Sequence, residues 1–424
     1  MFEIKRREKM VERALLVSAY TDTAGKEDAD DLLDELGELV RTLGVPVVGR
    51  MLAYNRAPQA RLLVGSGKAE EVCEYARSLQ CDVIVFDNEL TPAQQRNWEN
   101  LAKITVIDRQ EIILDIFGAR AQTREAKIQV DLARMTYSLP RLTRAWGHLG
   151  KQGGGIGAKG EGESQLEQDK RKIRGQMDRL KQDLAEVRRN RANQRKDRKR
   201  APVPNAAIVG YTNAGKSSLL RRLTGADVLV EDALFATLDT TTRKIDLPNK
   251  RPLLLTDTVG FIRKLPHQLV ESFNATLEEA VLADFLVHLL DASHPRVLEF
   301  YGTTMKVLDE LGADAKKTLT VFNKIDRVQD PMIRAMLKNA HPEALFISVH
   351  SGEGLDVLVD RLGELVGAGT REVRLLIPHD RTDLLARLHR EGTVHETVYE
   401  ENFCRIRATI PAKLREQTAP YLAE

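Results

Sequence analysis

Apolar and polar residues along the first hundred positions follow the pattern of strands that alternate with helices. Four short apolar runs are typical of buried strands: residues 14–18, 45–48, 83–87 and 104–108. Residues 30–42, between the first two runs, place leucine and valine on one side of a predicted helix. Pro46 cannot donate to a neighbouring strand, so its strand is expected at a sheet edge or to begin at Pro46. We therefore predict an N-terminal α/β domain over residues 1–108.

The residues that follow have a helical pattern. Residues 110–139 are compatible with helix throughout. Within residues 163–198, and apart from Lys170, apolar side chains recur at alternating three- and four-residue steps: Leu166, Ile173, Met177, Leu180, Leu184 and Val187. This spacing predicts a coiled-coil seam. We therefore expect a helical-hairpin linker over residues 109–200.

The tip of the predicted hairpin, residues 141–160, is glycine-rich and basic and contains one of the two tryptophans. A flexible backbone with arginines and a stacking ring suits structured RNA. We take four residues of the tip as candidate RNA contacts: Arg141, Arg144, Trp146 and Lys151. The other interpretation of the tip is a disordered connector.

The last two segments again mix strand and helix patterns. Residues 201–368 alternate apolar strands with helices, and three of these strands run into polar motifs. Residues 369–424 hold a mixture of strands and one helix, which predicts a small C-terminal α+β domain to which we assign no chemistry.

Composition narrows the class of protein. The 424 residues carry a net charge of +2 and 42% of them are apolar, so the chain has enough apolar residues for ordinary cores and is not a polycation. The three cysteines form no Cys-x-x-Cys pair, which argues against a disulfide framework and a structural zinc site. No apolar run is long enough to cross a membrane, and no signal-type segment follows the N-terminus. We expect a cytoplasmic monomer without a membrane span.

The most specific motif is a glycine-rich loop between a predicted strand, residues 206–209, and a predicted helix, residues 218–223. Its eight residues fit the pattern Gly-x-x-x-x-Gly-Lys-Ser: Gly210, Tyr211, Thr212, Asn213, Ala214, Gly215, Lys216 and Ser217. A strand, a glycine-rich turn and a helix N-terminus place successive backbone N–H groups around an anion. Lys216 would supply charge to the outer phosphates and Ser217 a hydroxyl to Mg²⁺. This predicts a nucleoside triphosphate site.

Two further motifs, each at the end of a predicted strand, indicate which nucleotide binds. The first supplies a carboxylate that can hold Mg²⁺ through water and an N–H that can reach a γ-phosphate: Asp257, Thr258, Val259 and Gly260. The second is a base-reading loop: Asn323, Lys324, Ile325 and Asp326. The Asp326 carboxylate can accept hydrogen bonds from guanine N1–H and the N2 amine, a donor pair that adenine lacks. Because the carboxyl ends of parallel strands form one crevice, the three motifs together predict bound GTP.

Two further segments complete the predicted site. A threonine-rich segment has the position of a first switch loop: Phe235, Ala236, Thr237, Leu238 and Asp239. We choose Thr237 as a second Mg²⁺ ligand, with Thr240, Thr241 and Thr242 as alternatives, although an ordinary turn or strand start also fits. A fifth, base-supporting loop is expected at three residues, of which the last two depart from the usual Ser-Ala-Lys: Ser348, Val349 and His350.

Catalysis is expected from groups around the terminal phosphate: Lys216, Thr237 and Gly260. Phe261 stands where many GTPases carry a glutamine that orients the attacking water. An apolar side chain cannot hold a water by hydrogen bonding, so we expect slow intrinsic hydrolysis that a macromolecular partner stimulates. An RNA-binding module with incidental turnover remains an alternative, whereas Asp326 argues against an ATP-driven RNA remodeller.

The residues of these motifs and their order along the chain resemble those of the HflX family of GTPases. The likeness rests on the four nucleotide segments together with a glycine-rich signature at residues 153–167, and it covers essentially the whole chain. The resemblance implies a cytoplasmic GTPase that uses Mg²⁺ and binds the large ribosomal subunit. It also implies the splitting or rescue of stalled ribosomes under stress, with the N-terminal domain and hairpin tip reaching toward the peptidyl-transferase region. A role in subunit assembly or dormancy stays open.

Overall fold

The computed structural model describes residues 12–142, 161–198, 203–225, 234–235, 238–248, 252–264, 278–313, 315–368, 370–411 and 414–423. The chain divides into two compact units. The first comprises residues 1–184 with residues 231–239 and 262–274, and the second comprises residues 185–230, 240–261 and 275–424. The domain boundaries that we placed after residues 108, 200 and 368 stay predictions.

The first unit is built on a four-stranded parallel sheet with the order β2-β1-β3-β4. Its strands are β1 (Ala14–Tyr20), β2 (Val47–Tyr54), β3 (Val83–Phe86) and β4 (Thr105–Asp108). β2 lies at the sheet edge and begins directly after Pro46, in agreement with the missing proline donor. Phe86 and Trp98 are fully buried with their ring centroids 4.8 Å apart, so this sheet has a well-packed core.

Local capping decides where the helices of the first unit begin. These helices are α1 (Thr23–Thr42), α2 (Ser66–Ser78), α3 (Pro92–Ala102), α4 (Arg109–Arg120) and α5 (Arg124–Ser138). α1 begins seven residues before the predicted start at residue 30, because the Asp22 carboxylate accepts the Gly25 N–H at 2.6 Å. The segment 110–139, which the sequence predicts as continuous helix, is two helices. Ala121 is extended, and Thr123 caps α5 by accepting the Ala126 N–H.

A 38-residue helix, α6 (Glu161–Arg198), follows the predicted hairpin tip. The described seam residues Ile173, Met177, Leu180 and Val187 are partly buried, and Leu184 is buried. Apolar spacing therefore does mark the less exposed side of this helix. Residues 143–160 of the tip, and the side chain of Leu166, lie outside the described residues.

The second unit contains a six-stranded sheet with the order β10-β9-β8-β5-β7-β6. Its strands are β5 (Asn205–Val209), β6 (Thr241–Asp246), β7 (Pro252–Asp257), β8 (Phe285–Asp291), β9 (Lys317–Asn323) and β10 (Leu345–Phe346). All neighbours are parallel except β6, which is antiparallel to β7. The chain continues from β5 toward the β7 side and from β8 toward β9. This topological switch opens a crevice beyond the carboxyl ends of the strands.

Helices and a second, smaller sheet complete the second unit. The helices of its larger part are α7 (Lys216–Thr224), α8 (Val297–Glu310), α9 (Pro331–Ala340) and α10 (Leu355–Ala368). The small sheet is antiparallel and has the order β11-β13-β12. Its strands are β11 (Thr370–Pro378), β12 (Thr393–Tyr399) and β13 (Phe403–Pro411). The helix α11 (Thr382–Glu391) lies between β11 and β12 in the chain, and the short helix α12 (Arg415–Thr418) follows β13. The predicted α/β fold class is confirmed. Across the described ranges, no helix combines the length and apolar character needed to cross a membrane.

Candidate nucleotide site

The glycine-rich loop lies between the end of β5 and the start of α7, and two of its glycines cannot be replaced without strain. Gly210 has φ +148°, and a Cβ there would lie 2.1 Å from the Leu289 carbonyl oxygen. Gly215 has φ +97°, and a Cβ there would lie 2.5 Å from Asn323 Nδ2. The loop therefore follows a path that only glycine permits at these positions. This path leads the backbone onto the N-terminus of α7, where N–H groups favour an anion.

Lys216 is folded back onto the same loop. Its Nζ donates to the carbonyl oxygens of Gly210, at 3.1 Å, and Tyr211, at 2.8 Å. Burial lowers the pKa of Lys216 to about 8, and the nearby Asp257 carboxylate opposes that shift. The negative charge of a bound polyphosphate would stabilise the charged form of this buried ammonium.

Ser217 and Asp257 place two oxygen donors side by side. Ser217 Oγ donates to Asp257 Oδ2 at 2.6 Å, and Asp257 is fully buried at the end of β7. A hydroxyl beside a carboxylate is the type of ligand set that Mg²⁺ prefers. Among the described residues, no cluster of three or more His, Cys, Asp or Glu could hold a metal ion by itself. The pair therefore fits Mg²⁺ whose remaining ligands come from phosphate and water.

The end of the Asp-x-x-Gly loop pairs side by side with the glycine-rich loop through a parallel bridge between Tyr211 and Phe261. The Phe261 N–H donates to the Gly210 carbonyl at 3.1 Å, and the Thr212 N–H donates to the Phe261 carbonyl at 2.8 Å. A Cβ on Gly260 would lie 2.8 Å from Thr212 Cα and 2.9 Å from Lys216 Nζ. Gly260 is thus pressed against the phosphate loop, and the Phe261 side chain is 2% exposed and packed inside.

The base-reading loop is tied to the phosphate loop by Asn323. Its Nδ2 donates to the Ala214 carbonyl at 2.9 Å, while its Oδ1 accepts the Val349 N–H at 3.0 Å. The predicted link between the two loops is therefore present, and it extends to the fifth loop as well. Lys324 has φ +62°, and its Nζ contacts Asp291 Oδ2 at 2.7 Å.

Asp326 is exposed rather than buried, so its carboxylate is open to a ligand. A hydrogen bond with Ser348 lowers the pKa of Asp326, which keeps the carboxylate ionised at neutral pH. Ser348 itself is fully buried. In the fifth loop, Ser348 is hydrogen-bonded to Asp326 and the Val349 N–H is bonded to Asn323, and the base-supporting role of this loop stays a prediction.

The described switch residues contact other residues of the first unit. Phe235 is 2% exposed, and its ring meets Phe117 edge-on at 4.7 Å. Asp239 Oδ2 accepts the backbone N–H groups of Gln122, at 3.0 Å, and Thr123, at 3.1 Å. Asp239 Oδ1 also accepts from the Thr123 hydroxyl at 2.5 Å. A direct bond from this carboxylate to a nucleotide would have to compete with these three. Ala236 and Thr237 lie outside the described residues.

Arg141, a candidate RNA contact, has internal partners. Its guanidinium donates to Gln95 Oε1 at 3.0 Å, to the Tyr137 carbonyl at 3.1 Å and to the Leu90 carbonyl at 2.6 Å. The side chain is only 10% exposed. An RNA contact through Arg141 stays a prediction, and it would have to compete with these bonds. Arg144, Trp146 and Lys151 lie outside the described residues.

Sequence reasoning missed β8 and two residues on it. Asp291 ends this strand and pairs with Lys324. His288 is fully buried in the strand, and burial lowers its pKa to about 3, so that it adds no positive charge near Lys216. The signal was available as an apolar run, Phe285 to Leu290, that ends in an aspartate.

Comparison with known proteins places three family models along the chain. One described as "GTP-binding GTPase N-terminal" matches residues 30–118, and one described as "GTP-binding GTPase Middle Region" matches residues 120–198. A third, described as "50S ribosome-binding GTPase", matches residues 205–324. A solved structure described as a GTP-binding protein from Sulfolobus solfataricus in complex with GDP aligns with 84% of this chain and 99% of its own, at 23% identity and a TM-score of 0.44.

Two relatives that are similar over nearly the whole chain carry the same name. A protein of Akkermansia muciniphila called GTPase HflX is 49% identical over 436 residues, which cover 100% of both chains. The GTPase HflX of Escherichia coli K12 is 40% identical over 393 residues, which cover 92% of this chain and 91% of its own. Full-length identity at this level, together with the assembled nucleotide motifs, shows that the chain belongs to the HflX family of GTPases and is a GTP-hydrolysing enzyme.

Proposed function

We propose that this enzyme binds the large ribosomal subunit and couples GTP binding and hydrolysis to the splitting or rescue of stalled ribosomes under stress. The observation that carries the proposal is the match of residues 205–324 to a family described as 50S ribosome-binding GTPases. The Escherichia coli and Akkermansia muciniphila relatives cover nearly the full length of this chain. The protein would act in the cytoplasm as a monomer.

In this proposal the crevice of the second unit holds the nucleotide. Residues 210–217 bind the phosphates, residues 257–260 meet the γ-phosphate, residues 323–326 read the base and residues 348–350 support it. The support for one crevice is the set of hydrogen bonds that joins Gly210 to Phe261 and Ala214 to Asn323. Switch residues 235–239 would close over the nucleotide only when GTP is bound.

Ser217 would hold Mg²⁺ directly, with Asp257 acting through water and Thr237 as a further ligand. The 2.6 Å contact between the Ser217 hydroxyl and the Asp257 carboxylate supports the first two assignments. When bound, Mg²⁺ would neutralise charge on the β- and γ-phosphate oxygens. Lys216 would leave its two carbonyl partners and bind the same phosphates.

Binding to the ribosome is tested by co-sedimentation of the full chain with isolated large subunits. We expect retention with a non-hydrolysable GTP analogue and release with GDP, because the switch residues report the terminal phosphate. Isolated small subunits and the Lys216→Ala variant serve as controls, since neither should show analogue-dependent retention. Equal retention with GDP and with the analogue would contradict the proposal.

A second function is favoured by Phe261, which is buried and cannot orient a water. The chain would then be a GTP-switched factor in subunit assembly or dormancy, with incidental turnover. GTP hydrolysis with and without large subunits separates the two functions. Stimulation together with the conversion of intact ribosomes into subunits on a sucrose gradient supports splitting. Analogue-dependent binding without stimulation and without subunit release supports the second function.

A further inference from the structure

Thr212, the third residue of the glycine-rich loop, has a buried hydroxyl that the fold does not use. The residue is 6% exposed, and its Oγ1 has no hydrogen-bond partner within the described part of the chain. Leaving a buried hydroxyl without a hydrogen bond destabilises the fold, because the group has lost its water without gaining a partner. A buried polar group without a protein partner calls for an explanation, and a ligand is one.

Thr258 and Thr256, two other threonines near the site, have ordinary structural partners. Thr258 Oγ1 donates to the Ile208 carbonyl at 2.7 Å, and Thr256 Oγ1 lies 2.9 Å from Thr242 Oγ1. These hydroxyls join neighbouring strands and loops of the same sheet. Thr212 therefore differs from them in having its backbone, but not its hydroxyl, engaged.

The position of Thr212 relates the hydroxyl to the terminal phosphate. The point that a Cβ on Gly260 would occupy lies 2.8 Å from Thr212 Cγ2 and 2.9 Å from Lys216 Nζ. Gly260 and Lys216 are the groups that we assign to the γ-phosphate. Oγ1 is bonded to the same Cβ as Cγ2, so the hydroxyl is a near neighbour of the methyl group that faces Gly260.

The reaction needs a group that Phe261 does not provide. An attacking water must be held in line with the bond that breaks, and the buried phenyl ring offers it no hydrogen bond. Phe261 is nevertheless bonded through its carbonyl to the Thr212 N–H at 2.8 Å. Thr212 is thus bonded to the residue that replaces the water-orienting glutamine, and its hydroxyl has no hydrogen-bond partner among the described residues.

We propose that the Thr212 hydroxyl orients the attacking water in GTP hydrolysis. Its oxygen accepts a hydrogen bond from the water, and its O–H group donates a hydrogen bond to a γ-phosphate oxygen. The water oxygen forms a bond to the γ-phosphorus, while the bond from that phosphorus to the β–γ bridging oxygen breaks and its electron pair leaves with GDP. The water proton passes to the released phosphate. Thr212 keeps its own proton, because an aliphatic hydroxyl is a very weak acid, and it takes no proton from the water, because a neutral hydroxyl oxygen is also a very weak base.

The test compares Thr212→Val, which keeps the shape and removes the hydroxyl, with Thr212→Ser, which keeps the hydroxyl. Single-turnover GTP hydrolysis by the full chain gives the rate constant, and displacement of a fluorescent GDP analogue gives the affinities for GTP and GDP. We expect Thr212→Val to lower the rate constant by about tenfold or more with little change in affinity. Thr212→Ser should stay within about threefold of the unsubstituted protein.

Thr304→Val is the matched control, because Thr304 Oγ1 is also buried without a hydrogen-bond partner among the described residues but lies in α8, outside the nucleotide motifs. It should leave hydrolysis unchanged. A second readout is the complex with GDP and aluminium fluoride, which Thr212→Val should fail to form while it still binds GDP. Hydrolysis by Thr212→Val at the unsubstituted rate, equal losses in the Val and Ser variants, or a loss of affinity that accounts for the rate would each overturn the proposal.

Discussion

At the scale of single residues, Lys216 makes nucleotide binding dependent on pH. Burial lowers its pKa to about 8 in the free protein, and bound phosphates must raise that pKa because they favour the charged form. The ammonium is charged in both states below pH 8, whereas above pH 8 binding requires uptake of a proton. We therefore expect GTP affinity to fall above pH 8 by up to about tenfold per pH unit.

The measurement is displacement of a fluorescent GDP analogue by GTP across this pH range. Lys216→Arg is the control, since a guanidinium stays charged throughout and any titration of guanine itself affects both proteins equally. The ratio of the two affinities should change with pH. A constant ratio would show that Lys216 keeps its charge in the free protein.

Asp326 carries the second prediction at this scale. Its carboxylate is exposed and ionised, so guanine can supply two donors to it as the base binds. We expect Asp326→Ala to lower the preference for GTP over ATP by about a hundredfold or more, as measured by competition between the two nucleotides. Asp330→Ala is the control, because Asp330 only caps α9 through the Met332 N–H. An unchanged preference in Asp326→Ala would remove Asp326 from the base site.

Sequence reasoning at the residue scale works best where a feature depends on neighbours in the chain. The turn from β5 into α7 was predictable because eight consecutive residues specify it, and the structure has positive φ at Gly210 and Gly215 and a helix that starts at Lys216. The partners of Arg141 and Asp239 were not predictable, because they are distant in the sequence. Leu90 is 51 residues from Arg141, and Gln122 is 117 residues from Asp239. From sequence alone, a charged side chain in a basic segment is predicted to lie on the surface. Only the folded structure shows that it has a buried hydrogen-bond acceptor.

At the scale of elements, Arg141 joins the turn after α5 to the rest of the N-terminal sheet. The guanidinium lies 3.7 Å from the Tyr137 ring centroid and 3.5 Å from the Asp108 carboxylate that caps α4. Because the pair is almost fully buried, removing the cation leaves Asp108 with one fewer partner in a poorly solvated environment. We expect Arg141→Ala to lower the free energy of unfolding of the N-terminal domain by about 2 to 4 kcal/mol.

Urea unfolding of the full chain in a Trp146→Phe background measures this effect, since Trp98 then reports the N-terminal core alone. Arg134→Ala is the control. Its guanidinium is 42% exposed and pairs with Asp115 at 3.0 Å, so its loss should cost less than about 1 kcal/mol. Equal stability of the Arg141→Ala and unsubstituted proteins would mean that Arg141 is free to bind elsewhere.

Element boundaries show why pattern alone is incomplete. The apolar period continues across residues 110–139, yet Thr123 starts a new helix because its hydroxyl accepts the Ala126 N–H. Capping depends on one side chain, whereas periodicity averages over a whole turn, so a pattern can predict a helix and miss its interruption. For the same reason the start of α1 depended on Asp22 rather than on its apolar positions.

At the scale of the whole molecule, sequence order does not decide which residues pack together. Residues 231–239 and 262–274 lie within the predicted GTPase domain, yet they belong to the compact unit of the N-terminal sheet. In that unit Arg109 is 2% exposed between Asp87, at 2.7 Å, and Glu35, at 2.8 Å. Lys264 Nζ also contacts Asp87 at 2.7 Å, and Arg263 contacts Glu35 at 3.5 Å. Opposite charges alternate through this cluster.

The charge cluster predicts unequal costs for its members. Asp87 is fully buried between two cations, so Asp87→Asn should destabilise the N-terminal domain by about 3 kcal/mol. Lys264 is 45% exposed, so Lys264→Met should cost less than about 1 kcal/mol. The same Trp98 unfolding measurement applies to both variants and to their combination.

The combined variant decides whether the segment after Phe261 is held by the N-terminal sheet in solution. If Lys264 stabilises the domain through Asp87, Lys264→Met should not lower the free energy of unfolding further once Asp87 is Asn. The loss in the double variant should then equal the loss in Asp87→Asn alone. Lys264 lies three positions after Phe261, whose N–H is bonded to the Gly210 carbonyl. Strict additivity would show that the Lys264 contact does not persist, and the N-terminal sheet would have no such hold on this segment.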